Sequence, residues 1–213
     1  MGYRIISGQF DRGTEEQKAA LIQLFGKDNI QYKFDLYFHW YNIVHEYGHC
    51  LLDYYNRSIG GVKEEILVNQ FAVGYWKHMG YKKELQRLET MLSEILQRIP
   101  NPVPDSMSLV EYYEQIWETD LLMRVDIYGY LQLESVLLAL KDTEGFMTTL
   151  EKMGIRKALA KKENPCMEYS ISVQTANTVL DNLQLMLEHS GIEHPDVELE
   201  FVDDPSIHCA RNC

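Results

Sequence analysis

His45 and His49 stand four residues apart, with Glu46 directly after the first, in the segment His45-Glu46-Tyr47-Gly48-His49. On a helix, positions i and i+4 share a face, so the two imidazoles can grip one metal ion together. Glu46 then falls beside the open side of that ion, where a carboxylate can take a proton from bound water. Five residues thus supply two ligands and a general base, the pattern HExxH. The competing reading makes His45 and His49 ordinary helix histidines bonded to carbonyls or water, with Glu46 in a surface ion pair. The flanks favour the metal. Ile43 and Val44 precede the motif, Cys50, Leu51 and Leu52 follow it, and no proline occurs from Asp35 to Asn56. Two histidines and a glutamate on so apolar a helix are costly to bury without partners, and a metal satisfies all three.

A catalytic zinc site commonly takes three protein ligands and leaves one position for water. A third histidine in the arrangement HExxHxxGxxH is excluded, because Leu52 holds the glycine position and Tyr55 the last one. Tyr55 likewise excludes an aspartate there. A glutamate on the next helix remains. Asn56 to Gly61 reads as a turn, and Val62 to Met79 as a helix that opens with Glu64 and Glu65. Glu65, Asn69, Ala72 and Trp76 form one stripe at helical spacing, and Ala72 facing Gly48 would let two antiparallel helices approach closely. Glu65 is the expected third ligand, with Glu64 as the alternative. The levels of His49 and Glu65 match if the first helix ends early or the connection climbs. Asn69 is expected to be a supporting amide rather than a ligand.

These residues resemble the ImmA/IrrE family of zinc metallopeptidases, which shows HExGH followed by ExxAN-x-FA on the next helix. His45 and His49 match its histidine ligands, Glu46 its base and Glu65 its glutamate ligand, while Asn69, Phe71 and Ala72 match the rest of the second motif. Val68 replaces the usual alanine, and Gly74-Tyr75-Trp76 stands where the family has LLMP. The likeness covers about residues 35 to 80. It implies an intracellular protease, often one that cleaves a DNA-binding repressor.

The 213 residues carry a formal net charge of −12 and are 46% hydrophobic. Length allows one large domain or two small ones. The acidic balance argues against direct nucleic-acid binding, since phosphate affinity comes from clustered Lys and Arg. No run of about 18 apolar residues indicates a membrane span. The opening residues are too short and polar for a secretory signal, and Gly2 makes a poor myristoylation site. Cys50, Cys166, Cys209 and Cys213 form no CxxC, so reduced thiols and a cytoplasmic setting are expected. His208, Cys209 and Cys213 are a weaker option for a second metal site.

The rest of the chain must position the motif, and it reads as mainly α with a small N-terminal sheet. Thr14 and Gln17 form a capping box for a helix that stops at Gly26. Tyr3 to Phe10 and Ile30 to Phe34 read as short strands, one of which could pair with an extended substrate backbone. Lys82 to Ile99 is amphipathic, and Pro100, Pro102 and Pro104 mark a linker. Residues 1–99 are expected to hold the peptidase core, and 105–213 a helical region that wraps it or binds a partner. Helices are expected from Ser108 to about Lys141, interrupted near Gly129, from Thr143 to Ala160, and from Ser172 to His189. A short strand around Val197, Leu199 and Phe201 closes the pattern.

The function expected is a zinc-dependent endopeptidase with one zinc per chain, acting on a protein or peptide. The alternative is a zinc-binding regulator without turnover. Such chemistry also needs a donor for the developing oxyanion. Tyr54, Tyr55, His39 and His78 are near in sequence, yet helical phase turns His39 and His78 off the ligand faces, and none is assigned.

Overall fold

In a computed structural model describing residues 2–142, 144–157, 170–204 and 207–211 (the last stretch as backbone), helices pack against a small three-stranded sheet. Strand β1 (Gly2–Gly8) alternates buried Tyr3, Ile5 and Ser7 with half-exposed neighbours, the period-two pattern of a strand with one covered face. It lies between β2 (Asp196–Val202), parallel to it with Ile5 opposite Leu199, and β3 (Ile207–Arg211), antiparallel with Ile5 opposite Cys209. Both edges of β1 are therefore paired within the chain. It cannot be the open strand expected to receive a substrate backbone.

The capping box of Thr14 and Gln17 opens helix α1 (Glu15–Phe25), which ends at Gly26 as expected. Ile30 to Phe34 forms helix α2 rather than a strand. Its residues continue without a break into Asp35–Tyr41, a run of wider π-type turns, and then into α3 (Asn42–Tyr54). Burial of Phe34, Leu36, Tyr37, Trp40 and Tyr41 explains the difference, because tertiary packing outweighs the strand preference of aromatic residues. Within the π-type run His39 bonds Asp35 Oδ1 through Nδ1 and the Gly8 carbonyl through Nε2, tying the end of β1 to this helix.

Helix α3 stops at Tyr54, where Asn56 takes a left-handed backbone (φ 53°) and Arg57 N–H turns back to the Leu52 carbonyl. The chain reverses through Gly60 and Gly61, both at positive φ, into α4 (Gly61–Met79). This early stop brings His49 level with the first turn of α4. The close approach is at Gly48, but its neighbour differs from the expected Ala72. A Cβ on Gly48 would stand 3.1 Å from Val68 Cβ and 3.2 Å from Phe71 Cδ1. Further along α4, Trp76 stacks on Trp40 with ring centroids 4.0 Å apart.

Helix α5 (Lys82–Leu96) buries Leu85, Leu88, Met91, Leu92 and Ile95 along one face. After the proline-rich loop, a Ser108–Glu111 capping box starts α6 (Leu109–Ile116). The break that follows lies at 117–124, where Thr119 bonds the Ile116 carbonyl, and not at Gly129, which sits inside α7 (Val125–Lys141). The helix expected over Thr143 to Ala160 is the shorter α8 (Phe146–Lys152), and the end of that expected span lies outside the described residues. Helix α9 (Thr175–His189) precedes Gly191, again at positive φ.

One large apolar cluster takes residues from both sides of the proline loop, including Ile5, Val44 and Leu92 with Leu133, Val136 and Leu183. A smaller one joins Val62 at the start of α4 to Tyr113, Ile116, Ile127 and Leu131. The segments before and after the expected boundary at 99–105 thus pack into common cores. Among the described residues no helix is long and apolar enough to cross a membrane. Cys50 is fully buried and disulfide-bonded, which corrects the expectation of a reduced thiol there. The second metal site considered at His208, Cys209 and Cys213 lies outside the described side chains.

Candidate metal centre

The apolar character of α3 places His45 and Glu46 in the interior, at 2% and 7% exposure, with His49 one turn on at the edge of a cleft. From α4, Glu65 meets both histidines. Its Oε2 lies 3.5 Å from His45 Nε2 and its Oε1 lies 3.6 Å from His49 Nε2. Donors 2.0–2.1 Å from a tetrahedral ion would stand about 3.3–3.4 Å apart, so these separations suit a shared ion better than direct hydrogen bonds. Among the described residues, His45, His49 and Glu65 are the group whose ligand atoms all fall within 4.8 Å of one another. The arrangement can hold a metal ion.

The outer nitrogens of the two rings fix which lone pairs face inward. His45 Nδ1 is 2.9 Å from Asn69 Oδ1. Asn69 Nδ2 donates to the Glu65 backbone carbonyl and to Ser135 Oγ, which orients the amide and makes Oδ1 the acceptor. His45 must therefore carry its proton on Nδ1, leaving Nε2 free to ligate. Tyr41 donates a second hydrogen bond to the same Oδ1. Asn69 is the supporting amide that its place on the Glu65 stripe suggested.

Glu64 does for His49 what Asn69 does for His45. Its Oε1 lies 2.9 Å from His49 Nδ1, while its Oε2 accepts the N–H groups of Ile59 and Gly60. The two adjacent glutamates thus divide the work: Glu65 faces the inner nitrogens, and Glu64 orients His49 from behind and pins the α3–α4 turn. A carboxylate behind a ligating histidine fixes its tautomer and raises its basicity.

The electrostatics follow this division. Burial alone would raise the Glu65 carboxyl, but the His45 and His49 rings and the Gln132 amide outweigh it and hold it down to about 2. Burial likewise opposes the charged form of Glu64, and its bonds to His49, Gly60 and Ile59 prevail to lower it. His49 is raised: desolvation works against the imidazolium, yet Glu64, Glu65 and Glu46 together overcome it. Three carboxylates thus surround two histidines in a mostly buried space, an excess of negative charge that a cation relieves.

Glu46 lines the same cleft as His45, His49 and Glu65. The amide of Asn42, one turn earlier on α3, reaches Glu46 Oε1 at 3.5 Å. Helix α7 closes the opposite side. Gln132 Nε2 donates to Glu65 Oε2 at 2.9 Å, and Ser135 links Asn69 back to the Gln132 carbonyl. Tyr128, one turn before Gln132, also lines the cleft. Burial first, and then the nearby charges of Glu65 and Glu46, push its phenol well above the ordinary tyrosine value, so it keeps its proton.

Tyr128, Gln132 and Ser135 carried no sequence signal, since they lie more than 60 residues beyond the motif in a region without one. Tyr41 was discoverable, standing four residues before His45. His39 and His78 are kept away, the first by Asp35 and Gly8 and the second beside Phe146. Tyr55 turns its hydroxyl to the Glu193 carbonyl. No family model, curated protein or solved structure matches the chain. The resemblance to ImmA/IrrE peptidases rests on the two motifs.

Proposed function

We propose that this protein is a zinc-dependent endopeptidase of the ImmA/IrrE kind, holding one zinc per chain through His45, His49 and Glu65. The observation that carries this reading is the convergence of two Nε2 lone pairs on one carboxylate, with both Nδ1 atoms already committed to Asn69 and Glu64. Two histidines and one glutamate are a donor set suited to zinc with a position left for water. When bound, the ion supplies Lewis acidity, lowering the pKa of water and polarising the scissile carbonyl.

The chain's own residues do the remaining work. Glu46 takes the proton of the attacking water and delivers it to the leaving amine. Asn69 and Glu64 keep the imidazoles in the ligating tautomer. Gln132 holds Glu65 in place from α7. Tyr128 retains its proton on the cleft wall and is the donor assigned to the oxyanion. A regulatory protein, such as a DNA-binding repressor, is the kind of substrate the resemblance implies.

The test is cleavage of an unfolded protein pool by zinc-loaded protein, with fragments read by mass spectrometry. Cleavage by the wild type and none by Glu46→Gln, at equal zinc content, is the expected result. Equal regulation of a partner by both proteins, without fragments, would instead favour a zinc-binding regulator.

A further inference from the structure

We propose that the cleft selects polypeptide segments carrying a bulky apolar side chain beside the cleaved bond, received between α1 and α7; this rests on the peptidase reading above. The cleft has a volume of about 1300 Å³ and runs from the metal cluster along α3 and the π-type turns to α1 and the proline loop. Small-molecule pockets span roughly 300–1,000 Å³, so this one accommodates several residues of a peptide. Beyond Asn42 its lining changes character. Leu21 and Leu24 of α1, Phe38, Ile99 and Leu133 replace the histidines and glutamates. Four of these, Leu21, Leu24, Phe38 and Ile99, are only partly covered by the protein itself. Phe38 belongs to an aromatic group with Phe25 and Tyr37, and Tyr37 lies close enough to Glu46 and Glu65 to feel their charge. The apolar section therefore adjoins the reacting centre.

Two further observations point to a peptide as the occupant. The first is Gly129, inside α7 on the cleft wall, where an added Cβ would meet nothing within 4 Å. A glycine within a helix is about 1 kcal/mol less favourable than alanine. Packing gives no reason for it here, whereas close approach of an extended backbone does. The second is the mouth. Val125, which lines the cleft, is 88% exposed, and Met123 just before it is 83% exposed. Ile59, beside the cleft-lining Ser58 on the α3–α4 turn, is 62% exposed. Large apolar side chains left open around one cleft mark an interaction surface, and their spread along the mouth suits a chain longer than the reacting dipeptide.

The test uses zinc-loaded Glu46→Gln protein, so that binding is read without turnover. Fluorescein-labelled peptides Ala-Ala-Ala-X-Ala-Ala-Ala, with X as Leu, Phe, Ala or Asp, are titrated by anisotropy. The expected result is Leu and Phe peptides bound at least about tenfold more tightly than Ala, and Asp weakest. Leu24→Asp should remove that preference. Gly129→Leu, whose Cβ meets nothing within 4 Å, should weaken all four peptides while the protein melts no earlier. Equal binding of the four peptides, or a preference untouched by both variants, overturns the proposal even if wild-type protein cleaves them. Selective binding with no cleavage by wild type keeps the apolar subsite and sinks the peptidase reading.

Discussion

The two walls of the cleft are built on opposite principles. On the α3–α4 wall the groups that can act chemically are buried and tied: His45 to Asn69, His49 to Glu64, and Glu64 to two backbone amides. On the facing side, α1, the start of α7 and the turn before it present apolar side chains that the described residues leave partly or largely uncovered, with Met123 and Val125 almost wholly exposed. One wall is fixed before any ligand arrives, and the other is left to be covered. Preorganised chemistry against an open apolar surface is the division of labour expected of an enzyme that must treat one bond alike in varied chains.

The largest effect that would break this contrast is loss of the base. Glu46→Gln should lower cleavage by about 10²–10⁴-fold with zinc content unchanged, read by fragment release and metal analysis side by side. A smaller effect is expected one layer back. Glu64→Ala or Asn69→Ala should weaken zinc affinity by roughly 10–100-fold, measured by competition with a chelating dye, because each frees one ligand ring from its orienting acceptor. If either variant binds zinc as the wild type does, the tied wall is not tied in the way described.

What the sequence made visible follows the same divide. HEYGH was legible because a helix brings residues four apart together by local geometry alone. Glu65 followed because the next helix begins five residues after the expected turn starts. The separate duty of Glu64 was not legible, since it depends on α3 stopping at Tyr54 and on the backbone amides of Ile59 and Gly60. Gln132, Ser135 and Tyr128 reach the site only through the packing of α7 on α4, a contact no spacing encodes. Ile30–Phe34 misled for a related reason: aromatic content suggested a strand, and burial in a continuous helical run decided otherwise. The sheet was half legible. Both Tyr3 and Val197 alternate as strand residues should, but their pairing spans nearly the whole chain.

Two substitutions of glycine by alanine sharpen the comparison at the level of stability. At Gly48, on the tied wall, the new Cβ meets Val68 Cβ at 3.1 Å, so Gly48→Ala should destabilise by about 1–3 kcal/mol. Val68→Ala in the same chain should restore only part of that loss, since it removes Val68 Cγ1 at 3.2 Å and keeps the Cβ. At Gly129, on the open wall, alanine should stabilise the metal-free protein by up to about 1 kcal/mol in urea unfolding. Opposite signs at the two positions are the expected outcome.

The smallest effect expected is that of pH on the metal-free protein. His49 is raised above its ordinary 6.5, so its contribution to stability is complete below that pH and fades as pH rises through the folded value. Glu65, lowered from 4.5 to about 2, contributes above pH 4.5 and loses that contribution as the pH falls towards 2. These two groups together favour the metal-free fold most between about pH 4.5 and 6.5. Zinc should reverse the trend at the upper end, because the ion displaces the His49 proton and binds more tightly as pH rises. Denaturant melts at pH 5.5 and 8, with and without zinc, check both signs.

The measurement that bears most directly on the central claim is zinc content after equilibration with the metal and removal of excess. Wild type, His49→Ala and Glu65→Ala should be compared. One zinc per chain in the wild type and its loss in both variants, with each still folded by circular dichroism, is the expected result. A wild type that takes up no metal, or a Glu65→Ala protein that keeps its zinc, would contradict it.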